Sequence, residues 1–145
     1  MNKSFWIGFV VVWVLGQVIS FLVHGMWLAD TYLAMGDVFR PEDEMNSMMW
    51  MMICGSLLYM FLFCYIFTRG YEGKGIGEGV RYGLLMGLFL SIPSAVDQFV
   101  VYPLTANLAV IWFVTGVIAF MILGAVFAAI YKPSSGMAHS TVAAT

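Results

Sequence analysis

Four long apolar runs, residues 5–28, 45–68, 79–101 and 104–131, decide what this chain can fold into. Each is long enough to cross the hydrocarbon core of a bilayer, about 30 Å thick, which takes about 20 helical residues at about 1.5 Å per residue. A backbone in lipid must satisfy its own hydrogen bonds, so only helices and closed barrels span it. Barrel strands would read as alternating segments of about ten residues bounded by turns, and the sequence has none of these. The expected fold is an all-α membrane protein, a four-transmembrane-helix bundle formed by residues 1–132. Composition agrees: 62% of residues are hydrophobic and 10% charged, against about a quarter charged in soluble domains.

Charge fixes the expected orientation and removes one class of partner. Lys3, Arg69, Lys74, Arg81 and Lys132 fall on one side of the four runs. The other side has Arg40 alone, in a loop with Asp30, Asp37, Glu42, Asp43 and Glu44. Cations are retained on the cytoplasmic side, so both termini are expected inside, in a bacterial inner membrane. Six Lys and Arg with a net charge of -2 leave no basic surface for nucleic acid. The expected partners are the lipid bilayer and either further copies of the chain or a larger membrane complex. Lys3 and the first run look like a signal peptide, but the run is too long and no small-x-small cleavage site follows a short apolar region. It is expected to be a retained span. The polar residues 133–145 are expected to form a flexible cytoplasmic tail.

The connections carry their own signals. Residues 29–44 are read as a long outer loop, at whose end Pro41 and the acids Glu42, Asp43 and Glu44 mark a helix start. The glycine-rich stretch from Arg69 to Gly77 lacks the strand-to-helix setting of a phosphate loop and is read as a flexible turn. The Tyr102-Pro103 connection is so short that the third and fourth helices are expected to be antiparallel neighbours. Cys54 and Cys64 lie about 15 Å apart along one helix, too far for a disulfide.

Membrane helices associate through close approach at small residues and through interhelical hydrogen bonds. Gly79, Gly83, Gly87, Ser91 and Ala95 recur every four residues in the third run. Gly8, Gly16, Ser20 and His24 form a similar stripe in the first, with Gln17 on its flank, and the fourth offers Gly116, Gly124 and Ala128. Pro93 is expected to kink the third helix by removing a backbone donor, opening a cavity among the outer ends. Trp13 is too deep for an interface belt and should pack on a helix or a bound molecule.

Ionisable groups within a span cost about 2.5 to 3.5 kcal/mol on insertion scales, so His24 and Asp97 are candidates for function. Both lie four residues before the outer end of their runs, and Gln98, Asn107, Glu44 and Asn46 fall near that level. Two readings are open. The group forms a polar chamber opening outward, with His24 titrating and Asp97 orienting it, suited to a proton, a small cation or a polar ligand. Alternatively, His24 and Asp97 form a structural hydrogen bond between the first and third helices, or reach the surface separately. A single intramembrane histidine leaves no axial pair for haem, and His139 lies in the tail.

Met45, Met48, Met49 and Met52 fall on one helical face, with Met51 beside it. Thioethers one turn apart are soft donors suited to copper(I), and methionine is equally a pliable filler of irregular interfaces. The segment resembles the methionine motif of eukaryotic copper uptake channels, which carry a Gly-x-x-x-Gly comparable to Gly83 and Gly87. Those channels have three spans, a methionine-rich outer tail and a terminal His-Cys motif, which this chain lacks. The pattern Gly83-Leu-Leu-Met-Gly87, Tyr102-Pro103-Leu104 and Ala109-Val-Ile-Trp112-Phe113 resembles small four-helix bacterial inner-membrane proteins. That resemblance implies a fold and a location, because such proteins carry no agreed activity and supply no catalytic residues.

No His-Glu-x-x-His, Gly-x-Ser-x-Gly or intramembrane carboxylate pair occurs in the sequence. The expected function is non-catalytic: an accessory subunit or a small bundle with a polar site near the outer face. The alternative is a small transporter or channel for a proton, copper or a small polar ligand.

Overall fold

In the computed structural model, which describes residues 1–133, all regular structure is helical. Helix α1 runs Lys3–Ser20 and continues as a π-helix over Phe21–Trp27. A short α2 (Ala29–Ala34) follows, then α3 (Glu42–Gly70), α4 (Ile76–Val101) and α5 (Ala106–Ile130). Four of these units, with the π segment counted into α1, are long and apolar enough to cross a membrane. The tail from residue 134 onward, with His139, lies outside the described residues.

The helix starts follow their local chemistry. The side chain of Asn2 accepts from the Phe5 amide at 3.0 Å and that of Thr105 from the Leu108 amide at 3.3 Å, each satisfying an amide that the first turn cannot. Helix α3 starts directly after Pro41, with three acids in its first turn. The connection between α3 and α4 is fastened by Glu78, whose carboxylate accepts from the amides of Glu72 at 2.6 Å and Lys74 at 2.8 Å. Gly73 and Gly75 have φ of 82° and 72°, so glycine is required there. Lys74 pairs with Glu72 and holds its carboxyl below the usual range. The turn expected to be flexible is therefore hydrogen-bonded at its centre.

The small-residue stripe of α4 is the closest seam in the molecule. Gly79, Gly83, Gly87, Ser91 and Ala95 are all buried. A Cβ added at Gly79 would strike the carbonyl oxygen of Gly124, and one at Gly83 the carbonyl oxygen of Phe120. At Gly87 the Cα of Val117 would lie 3.0 Å away. The i, i+4 spacing keeps the stripe on one face and brings the backbones of α4 and α5 together. Pro93 lies within this continuous helix.

The two ends of the bundle are built differently. At the end carrying the start of α1 and the end of α5, Phe5, Val12, Met60, Phe63, Phe67 and Phe127 form a closed core with edge-to-face aromatic contacts. The Tyr82 hydroxyl donates to the Phe63 carbonyl at 2.5 Å, joining α4 to α3. Ser4 donates to the Lys132 carbonyl at 2.9 Å and accepts from its amide at 3.1 Å, so the start of α1 is tied to the chain just beyond α5. Midway along the bundle, the Ser56 hydroxyl oxygen accepts from Trp13 Nε1 at 3.0 Å and Gln17 Nε2 at 2.8 Å, and donates to the Ile53 carbonyl at 2.8 Å. Trp13 thus packs on a helix, with its indole N–H satisfied.

At the opposite end, which carries the α1–α3 connection and is called the loop end below, α3 leaves the bundle. Every residue from 42 to 55 is exposed, and a Cβ on Gly55 would have nothing within 4 Å, whereas Ser56, Met60, Phe63, Cys64 and Phe67 are buried. The connection itself is folded rather than a bare polar loop. Leu28 packs with Leu104 and Leu108 at the start of α5, and Tyr32, Met35, Val38 and Phe39 pack against them. Cys64 is buried and Cys54 exposed, both as free thiols.

Candidate functional site

The departure of α3 opens a cleft of about 430 Å³ between α1, α4 and α5. Gly16, Ser20, Val23 and His24 line it from α1, Ser91 and Ser94 from α4, and Trp112, Thr115 and Gly116 from α5. Tyr59 of α3, Phe120 and Leu123 line it as well. Gly16, which its spacing puts in a packing stripe, approaches α3 and α5: a Cβ there would meet Met60 at 3.3 Å and Leu123 at 3.7 Å. Ser20, expected in the same stripe, is exposed on the cleft wall because α3 has already turned away at that level.

His24 lies in the π-helical part of α1, a geometry found mostly as short insertions and often at functional positions. Its Nδ1 is 2.6 Å from the Tyr32 hydroxyl of α2, and that hydroxyl accepts from Trp112 Nε1 of α5 at 2.8 Å. The His24 and Tyr32 rings are nearly parallel, at 9°. Burial pushes the Tyr32 phenol above its usual range, against the smaller opposite pull of the Trp112 hydrogen bond, so it keeps its proton at neutral pH. The consecutive elements α1 and α2 are thereby joined to α5, far along the sequence, by one chain of hydrogen bonds, which pins α2 across the end of α1 and α5.

Asp97 is not the partner of His24. No hydrogen bond or ion pair joins the two, and Asp97, Gln98 and Asn107 are all exposed. Depth along the helix is similar for His24 and Asp97, but direction around it is not. Asp97 is two residues past Ala95, the last buried residue of the α4 seam, and two residues turn a helix by about 200°, to the face opposite α5. Glu44 is exposed on the free arm of α3 and pairs with Arg40 at 3.3 Å. Asn46 and the methionine set Met45, Met48, Met49 and Met52 also lie on that arm, exposed and away from the cleft lining.

Sequence reasoning missed Tyr32 and the role of Trp112. A weak signal was present: Tyr32 and Leu33 follow Asp30 and Thr31 in a stretch too short for periodicity to register but able to make one amphipathic turn and a half. Because the bond is between neutral groups at a partly open site, substituting Tyr32→Phe or His24→Phe should each cost about 1 kcal/mol. A thermal double-mutant cycle is expected to show coupling near that size for His24 with Tyr32, and additivity for His24 with Asp97. Additivity for the first pair would mean the bond contributes nothing.

Comparison with protein-family models, with curated proteins and with solved structures finds no match for this chain.

Proposed function

We propose that the chain is a non-catalytic integral membrane protein of the bacterial inner membrane, with both termini cytoplasmic, that holds an amphipathic ligand in the cleft beside His24. The observation that carries this reading is the cleft itself. It has polar groups on three helices, and it opens on the side where residues 42–55 of α3 stand clear of the bundle. In a bilayer that side faces lipid, so a molecule dissolved in the membrane enters without crossing water. The excess of cations at the end bearing the termini supports an external position for the loop end and its cleft.

Two features favour binding over catalysis or passage. Ser91 and Ser94 share the cleft with His24 but are not hydrogen-bonded to it, and the group that orients His24 is a phenol rather than a carboxylate. Between the cleft and the other end of the bundle the buried side chains are mainly apolar, Val12, Met60, Phe63 and Phe127, and the hydroxyl of Ser56 is taken up by Trp13, Gln17 and the Ile53 carbonyl, which disfavours passage of a proton or copper ion. The free arm of α3 is the natural contact for a larger complex, the setting in which such a bundle is an accessory subunit.

Filling the cleft tests the proposal. Ser94 is exposed on its wall, so Ser94→Trp should fold normally. Protein purified in mild detergent is expected to carry a bound amphiphile recoverable by solvent extraction, near one per chain, and the Ser94→Trp protein to lose most of it. Equal amounts in the two proteins would contradict the reading.

A further inference from the structure

We infer that the cleft recognises an uncharged amphiphile through a carbonyl oxygen, with the Nε2–H of His24 as the principal donor; this rests on the ligand-binding reading above and specifies its chemistry. The hydrogen-bond chain sets the tautomer of His24. Trp112 Nε1 is a donor only, and it donates to the Tyr32 oxygen. If the Tyr32 hydroxyl then donates to His24 Nδ1, every group in the chain is used once. The opposite polarity would make the phenol oxygen accept twice and leave its own proton without a partner. Neutral His24 therefore carries its proton on Nε2, the ring nitrogen that Tyr32 does not occupy.

The rest of the cleft selects the ligand class. None of its lining residues is Lys, Arg, Asp or Glu, so a phosphate or ammonium head would be desolvated without a counter-charge. A neutral head escapes that cost. Ser91 and Ser94 add hydroxyls from the α4 wall, while Trp112, Phe120 and Tyr59 supply flat apolar surface. A volume of about 430 Å³ falls at the lower end of small-molecule pockets, about 300–1,000 Å³. It suits a head group whose tail leaves through the gap beside α3. A quinone ring and an acylglycerol ester both present such a carbonyl.

The test measures binding to the purified full chain by thermal shift and calorimetry, with decylubiquinone, dioctanoylglycerol and the carbonyl-free dodecanol as probes. At least one carbonyl probe is expected to bind at least tenfold more tightly than dodecanol, and which one does so names the source. His24→Phe should weaken that probe at least tenfold. His24→Gln, which keeps an N–H donor, should restore binding to within about threefold, and this contrast separates donation from mere packing. Tyr32→Phe should weaken binding by about threefold, because both tautomers then become populated. Carbonyl-probe binding that survives His24→Phe but is lost in Ser94→Trp would overturn the carbonyl inference and leave the cleft reading standing. Equal affinity for dodecanol would also overturn it. Binding unchanged by Ser94→Trp would overturn both.

Discussion

Replacing Gly83 by leucine is expected to abolish the folded bundle, and replacing it by alanine to cost about 2–3 kcal/mol. The reason lies in what an added side chain meets. A Cβ at Gly83 runs into the carbonyl of Phe120 and comes within 2.8 Å of the Met121 Cα, which are backbone atoms and cannot rotate aside. Relief requires α4 and α5 to separate along their whole seam, where Gly79 and Gly124 are in equally close contact. In a lipid environment there is little hydrophobic drive to hold the two helices together once that packing is lost. Gly55 provides the control, since nothing lies near its missing Cβ. Gly55→Ala should change stability by no more than about 0.5 kcal/mol. Reversible unfolding by sodium dodecyl sulfate in mixed micelles measures all three. A Gly83→Leu protein as stable as the parent would mean that the α4–α5 seam is not as close as described.

The second large effect is expected at Ser56. Its hydroxyl oxygen accepts from both Trp13 and Gln17 of α1, so Ser56→Val removes one acceptor and strands two donors in the interior. Each stranded donor costs about 1–3 kcal/mol in a protein interior, and hydrogen bonds between membrane helices average about 0.6 kcal/mol. An intermediate loss of about 2 kcal/mol is expected. The sign of a second substitution is more telling than the size of the first. Adding Gln17→Leu to Ser56→Val removes one stranded amide and should recover part of the loss, whereas independent contributions would make the double variant worse. Further loss in that double variant would show that the polar contact between α1 and α3 does not hold the helices together.

Much of this architecture is legible in the sequence because it depends on properties that survive projection onto one dimension. Length and hydropathy yield the four long helices. The four-residue spacing of Gly79, Gly83, Gly87, Ser91 and Ala95 stays on one face of a helix with 3.6 residues per turn, so the seam with α5 can be read before any coordinates. The site is less legible, for three reasons. Asp97 matches His24 in depth, but its direction about the helix axis puts it on the far side of the seam. The departure of α3 over residues 42–55 leaves no trace, because a membrane helix is apolar whether it faces lipid or protein. Tyr32 sits on a helix of six residues inside a connection that carries Asp30, Asp37 and Arg40, where polarity hides the packed positions Met35, Val38 and Phe39. The hydrogen-bond chain from Trp112 through Tyr32 to His24 thus depends on the approach of α5 to the end of α1 and α2, which no local pattern announces.

The central claim is that the chain crosses the membrane four times and carries its cleft on the external face, and cysteine labelling tests it most directly. With Cys54 and Cys64 replaced by alanine, single cysteines are introduced at Asp37, in the connection packed over the cleft end, and at Lys74, in the turn between α3 and α4. Both positions are exposed. In spheroplasts of a bacterial host, a membrane-impermeant maleimide is expected to label the Asp37→Cys protein at once, and the Lys74→Cys protein only after permeabilisation. Labelling of Lys74→Cys in sealed spheroplasts, or protection of Asp37→Cys, would contradict the account.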